Sequence, residues 1–213
     1  MKPAIGVLLG GVIALAAMPT PAQANNIYLS VEGGGAFLTE SDPSDNLGNL
    51  AKVSFDAGYA LSASIGYRFK KFSVRAEAQF IHQKNALNSV SALGTTVSAG
   101  GDATINSGMA TVYYDFKLKS DKWSPYVGAG LGFAAIDISN PSVIAGGIKL
   151  TGNDLDDTVF AYQIMAGIGY NISKNITLSG GYKYFGAADA TFTGDIDASV
   201  DSHNLLVELR YNF

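Results

Sequence analysis

The sequence contains no cysteine. That excludes disulfide staples, thiolate metal ligands and a lipidated cysteine at a mature N-terminus. Histidine is scarce, with His82 and His203 the only two, so imidazole chemistry has little to work with. Tryptophan occurs once, at Trp123. Beyond the first residues no stretch approaches the ~20 consecutive apolar residues of a membrane helix. A basic excess is also missing, since 14 Lys and Arg face 18 Asp and Glu for a formal charge of −4. Such a balance provides no electrostatic footprint for nucleic acid.

What is abundant is glycine, at 25 residues, with 11 tyrosines and 11 phenylalanines. Mean hydropathy is nevertheless positive. A chain that is apolar on average, yet mostly in alternate positions, suits a closed sheet with lipid outside and polar groups inside. The first residues stand apart. Met1-Lys2 is a short basic start, Ala4 to Ala17 is almost unbroken apolar sequence, and Ala22-Gln23-Ala24 offers small residues at a secretory cleavage site. Residues 1–24 are therefore expected to be a cleaved export signal and 25–213 a single domain.

The last residues carry the clearest periodicity. Leu205, Val207, Leu209, Tyr211 and Phe213 alternate with Asn204, Glu208, Arg210 and Asn212, Leu206 being the exception. Period two puts one set against an apolar phase and the other away from it. Seven similar runs lie upstream, around 27–37, 59–69, 72–80, 110–118, 127–133, 160–170 and 176–184. Eight strands of about the ~9–11 residues needed for a tilted crossing are expected. The links between them alternate in length. Those at Lys70-Lys71, 119–124 and 171–175 are short, whereas 39–56, 84–104, 140–157 and 186–200 are long and rich in Ser, Asn, Asp and Gly. Short periplasmic turns and four long outer loops are the asymmetry of outer-membrane barrels. Most acids fall in the long loops, and aromatics gather near both ends of the runs, as interfacial girdles would. The expected fold is an all-β, eight-stranded, antiparallel, up-and-down transmembrane barrel.

Several segments resemble a known family. Ser124-Pro125-Tyr126-Val127-Gly128-Ala129-Gly130-Leu131-Gly132-Phe133 is similar to the central strand of opacity-protein-like and OmpA-like eight-stranded surface barrels. Ala161-Tyr162-Gln163 through Ala166-Gly167-Ile168-Gly169-Tyr170, and Gly180-Gly181-Tyr182-Lys183-Tyr184-Phe185, resemble the strands that follow it there. The resemblance spans residues 25–213. It implies a bacterial outer-membrane location, contact with outer-membrane lipid and lipopolysaccharide, and a surface antigen, adhesin-like protein or membrane-integrity component. The ending Leu209-Arg210-Tyr211-Asn212-Phe213 resembles the signal read by the barrel-assembly machinery, which makes Tyr211 and Phe213 its candidate residues. The peptidoglycan-anchoring role of longer OmpA-type proteins is not carried over.

On the polar face the charges are Glu32, Arg68, Arg75, Glu77, Asp115, Lys117, Lys183, Glu208 and Arg210. Buried charges must be paired or solvated, so mixed signs predict an internal ion-pair network. An eight-stranded interior is about wide enough for its own side chains, which favours a plugged barrel. The inward glycines of the fifth and sixth strands leave room, and keep a narrow channel as the alternative. Catalysis is not expected. Ser202 and His203 adjoin in sequence, but neighbours on a strand point to opposite faces, so they make no nucleophile–base pair. No cofactor is implied. The acids Asp154, Asp156, Asp157, Asp195 and Asp197 have the ligand chemistry for hard cations, but without EF-hand spacing solubilising loop charge is the commoner explanation. An extracellular ligand, if there is one, would meet the loops.

Overall fold

The computed structural model describes residues 26–39, 44–45, 48–49, 52–92, 95–120, 122–145, 148–151, 155–192 and 196–213. The expected export signal lies outside the described residues. Eight long strands carry the structure: β1 (Ile27–Leu38), β2 (Gly58–Phe69), β3 (Val74–Ala92), β4 (Thr95–Asp115), β5 (Trp123–Ala145), β6 (Leu155–Asn171), β7 (Ile176–Phe192) and β8 (Ile196–Asn212). Each pairs antiparallel with the next. β8 also pairs with β1, from Tyr28 opposite Asn212 to Leu38 opposite Ser202, and the sheet closes on itself. Closure leaves none of the long strands as an unpaired edge, the condition for a sheet in hydrocarbon.

The register sets the tilt. From Tyr28, direct partners run through Gly66, Glu77, Thr111, Gly130, Gln163, Phe185 and Ser202, and return to β1 at Leu38, ten residues further on. A stagger of that size gives strands inclined by roughly 35–45° to the barrel axis. Side chains alternate as the period demands. Along β8, Leu205, Val207, Leu209 and Tyr211 are exposed while Asn204, Leu206, Glu208 and Arg210 are buried. The outward aromatics form two belts. Tyr67–Phe69, Tyr114–Phe116, Trp123–Tyr170 and Tyr211–Phe213 pack near the short turns, and Phe133–Phe160 and Tyr162–Tyr184 pack toward the other end.

The strands differ from expectation in length. They run from 12 to 23 residues, and most of what reads as long loop is paired backbone. In the expected loop 84–104, Ser89 opposes Ser98, Val90 opposes Val97 and Ser91 opposes Thr96. The short strand Lys52–Phe55, from the first expected loop, pairs onto the same hairpin. Beyond an apolar slab both faces of a sheet meet water, so the alternation fades while the backbone ladder continues. A 23-residue strand inclined at ~45° rises roughly 50 Å, about twice the ~25 Å apolar band of such barrels. Register shifts between Ala86 and Ser89, Gly100 and Asp102, and Ala187 and Ala190 mark the base of this extension. Gly101, at φ +134°, takes the backbone through one of them, where a side chain would meet the Ser139 carbonyl.

Two strand ends are also corrected. β3 begins at Val74, not Phe72, because Ser73 turns the chain with φ 58°. β4 ends at Asp115, leaving Phe116, Lys117 and Leu118 exposed in the turn.

Candidate functional site: the barrel interior

The inward side chains form three tiers. Nearest the short turns, Arg75 is fully buried and holds two carboxylates. Its Nη1 lies 3.0 Å from Glu77 Oε1 and its Nε 2.9 Å from Asp115 Oδ2. The guanidinium also lies over the ring of Tyr113, 4.3 Å from its centre. Tyr28 donates its hydroxyl to Glu77 at 2.6 Å. Its ring stands between two guanidiniums, with Arg75 at 5.7 Å and Arg210 at 5.4 Å from the centroid. Arg210 pairs with Glu208 at 2.9 Å. These are cation–π and charge-assisted contacts among buried side chains, where each is stronger than at the surface.

Above this tier, bonds cross the interior between strands that are not neighbours. Lys183 of β7 pairs with Glu32 of β1, and Ser62 donates to the same carboxylate at 3.2 Å. Gln163 of β6 donates to Gln79 of β3 at 2.6 Å and to Thr111 at 2.7 Å. Gln79 in turn donates to Glu77 at 2.8 Å and to Tyr113 at 2.9 Å. The interior is spanned, not hollow.

Toward the far end the lining turns apolar. Ile81, Ile105, Met109, Ala134, Ile136, Val159, Ala161, Phe185 and Ala187 form one buried cluster, with Leu38, Ile138 and Val200 against it. A polar strip passes along its flank, where Ser202 donates to Gln83 at 3.1 Å and Gln83 to Asn85 at 3.0 Å.

Seven of the nine charges singled out from sequence fall into three groups. Arg75, Glu77 and Asp115 meet in one cluster, Glu208 pairs with Arg210, and Glu32 pairs with Lys183. Arg68 is partly buried at the turn-end rim, and among the described residues it has no carboxylate partner. Lys117 is corrected, because β4 ends two residues before it and the side chain is exposed outside the interior. Without Lys117 the interior holds four cations (Arg68, Arg75, Lys183, Arg210) and four carboxylates (Glu32, Glu77, Asp115, Glu208), so it is formally neutral.

The room expected from inward glycines is occupied. A Cβ on Gly128 would stand 2.5 Å from Tyr113 Cδ1, one on Gly167 2.5 Å from the Tyr126 hydroxyl, and one on Gly66 inside the Tyr28 ring. These glycines are sockets for three tyrosine rings. Reading charges alone misses Tyr28 and Tyr113, although their parity places them inside, and Tyr126, expected among the turn-end girdle aromatics, is instead buried in the interior. That reading also stops at Phe80, where one further residue would put Ile81 in the interior.

Ser202 and His203 separate as expected. Ser202 is buried, while His203 is outside, its Nδ1 2.6 Å from the Tyr182 hydroxyl. His82 lies 2.8 Å from Asn106 Oδ1. Asp154 and Asp195 lie outside the described residues, and among the described residues no acid or histidine group is arranged to hold a metal ion.

A family model described as outer membrane protein beta-barrel domain matches residues 9–213. Outer membrane protein PagN of Salmonella typhimurium is 28% identical over 117 residues, 49% of this chain and 48% of PagN. The chain thus matches about half the length of that curated relative. Among solved structures, Neisserial surface protein A aligns with TM-score 0.55 and 22% identity, over 88% of this chain and 97% of that one. The outer membrane protease OmpT of Escherichia coli aligns with TM-score 0.59 and 6% identity, over 92% and 100%. At those identities the likeness speaks for the fold alone.

Proposed function

The chain belongs to the outer membrane protein beta-barrel family, and from that footing we propose that it is a non-enzymatic, closed barrel whose working surface is its raised outer rim. It resides in the bacterial outer membrane. The observation that carries the proposal is the extension of paired strands above the outer aromatic belt, with Ser, Thr and Asn side chains on both faces of the β3–β4 hairpin. A ladder holds those side chains in fixed relation, which lowers the ordering cost of binding a partner. This suits an adhesin-like or antigenic surface. The interior adds support, since side-chain bonds cross it and an apolar cluster lies above them.

The test removes residues 88–99 from the hairpin and measures binding of displaying cells to a panel of matrix proteins and glycans. Loss of binding by a variant that still shows a normal heat-modifiable gel shift is the expected result. Unchanged binding would sink the rim as the working surface.

A second reading, a narrow channel, draws on the polar strip Ser202–Gln83–Asn85 beside the apolar tier. Planar-bilayer recordings separate the two. Steady openings of the folded protein favour the channel, and silence favours the rim.

A further inference from the structure

A cavity of about 350 Å³ opens at the periplasmic mouth, between the turn after β2 and the turn after β4. It is lined by three cations, Arg68, Lys70 and Lys117, and by Ser73, Ser120 and Ser124 among others. The one carboxylate in its wall, Asp115, has both oxygens within 3.0 Å of Arg75 Nε. Among the described residues, none of the three cations reaches a carboxylate. Arg68 Nε is buried with no hydrogen-bond partner, and the side chain lies in the field of Arg210 and Arg75 as well as of Asp115. The mouth therefore gathers three cations, one carboxylate already engaged by Arg75, and serine side chains around an open space. That is the donor set for a tetrahedral oxyanion.

We propose that this mouth binds a phosphate group, presented either by the headgroup of an inner-leaflet phospholipid or as free phosphate. Arg68 and Lys117 carry the charge neutralisation, and Ser73 and Ser124 donate to the remaining oxygens. A lipid source gains from exposed Phe116, Leu118 and Trp123 at the same rim, where acyl chains would pass. Tryptophan suits that depth, with one face apolar and one edge wet.

Trp123 is also the only tryptophan in the chain, so the pocket contains its own reporter. The full barrel, refolded in a sugar-based detergent free of phosphate, is titrated with inorganic phosphate and separately with dihexanoylphosphatidylglycerol, against sodium chloride at matched ionic strength. Tryptophan emission and phosphorus NMR linewidth are both followed. Saturable binding is expected, weakened roughly tenfold or more in Arg68→Gln/Lys117→Gln, the scale of losing a charge-assisted hydrogen bond. Tighter binding of the lipid assigns the headgroup as the source, and binding of phosphate alone assigns the free anion. Lys117→Gln alone, on an exposed turn, guards against a folding defect and is expected to weaken binding by itself. Flat titrations in both readouts, or binding indifferent to these substitutions, overturn the site.

Discussion

The guanidinium of Arg75 lies over the ring of Tyr113, 4.3 Å from its centre, while its nitrogens hold Glu77 and Asp115. One side chain thus closes the turn end of the barrel by stacking and by pairing together. Glu77 and Asp115 sit on the adjoining strands β3 and β4, and without the cation between them a buried Glu77 and a half-buried Asp115 would face no positive charge there.

Arg75→Gln is therefore expected to lose about 3–5 kcal/mol, the cost of leaving buried charge uncompensated. Arg75→Lys should recover only part, because an ammonium cannot stack and fork at once. Urea unfolding of the refolded barrel measures both. A loss below about 1 kcal/mol for the Gln variant would mean that the cluster is solvated, not dry.

A second prediction concerns the glycine sockets. Gly128→Val drives methyl groups into the ring of Tyr113, and overpacking of this kind costs roughly 1–3 kcal/mol. Adding Tyr113→Ala removes the obstacle and should restore the folded fraction on heat-modifiable gels. If the single variant folds as well as the parent, the glycines are spare room after all.

The apolar tier offers a third. Replacing Phe185 and Ile105 by serine removes the bulk that fills the interior above the ion pairs. The parent is expected to be silent in planar bilayers and the double variant to pass ions. Silence in both would place the barrier lower, at the cross-barrel bonds of Gln163 and Gln79.

The chain end gives a fourth. Phe213 contributes one backbone bond to Ile27 at 3.1 Å and an edge contact with Tyr211. Its deletion should cost only about 1 kcal/mol in detergent. Assembly in cells is expected to fall far more, if Tyr211 and Phe213 form the signal that the ending resembles. Equal effects in detergent and in cells would argue against such a signal.

Alternation alone locates all eight long strands, and parity places Tyr28, Glu77, Gln79 and Arg210 inside. It failed where its physical cause stops. Above the bilayer no apolar phase sorts the two faces, so Ser89 and Ser98 look like loop although they pair. Lys117 was misread because parity was carried past Asp115, where the chain already turns and Phe116 bonds back to Pro125 at 2.8 Å. The glycines were misread for a different reason. An absent side chain looks like space, yet the rings that claim it come from residues such as Tyr28 and Tyr113, met only when the sheet curls round.

The pairing of β1 with β8 has a consequence for biogenesis. β1 pairs with β2 on one side, but its partner on the other is the segment Ser202 to Asn212 of β8, for which it must wait. Until then every intermediate along this chain carries two adhesive borders, each a row of unspent backbone donors and acceptors. A chain stopped anywhere before β8 therefore keeps both borders open, the arrangement that invites edge-to-edge aggregation.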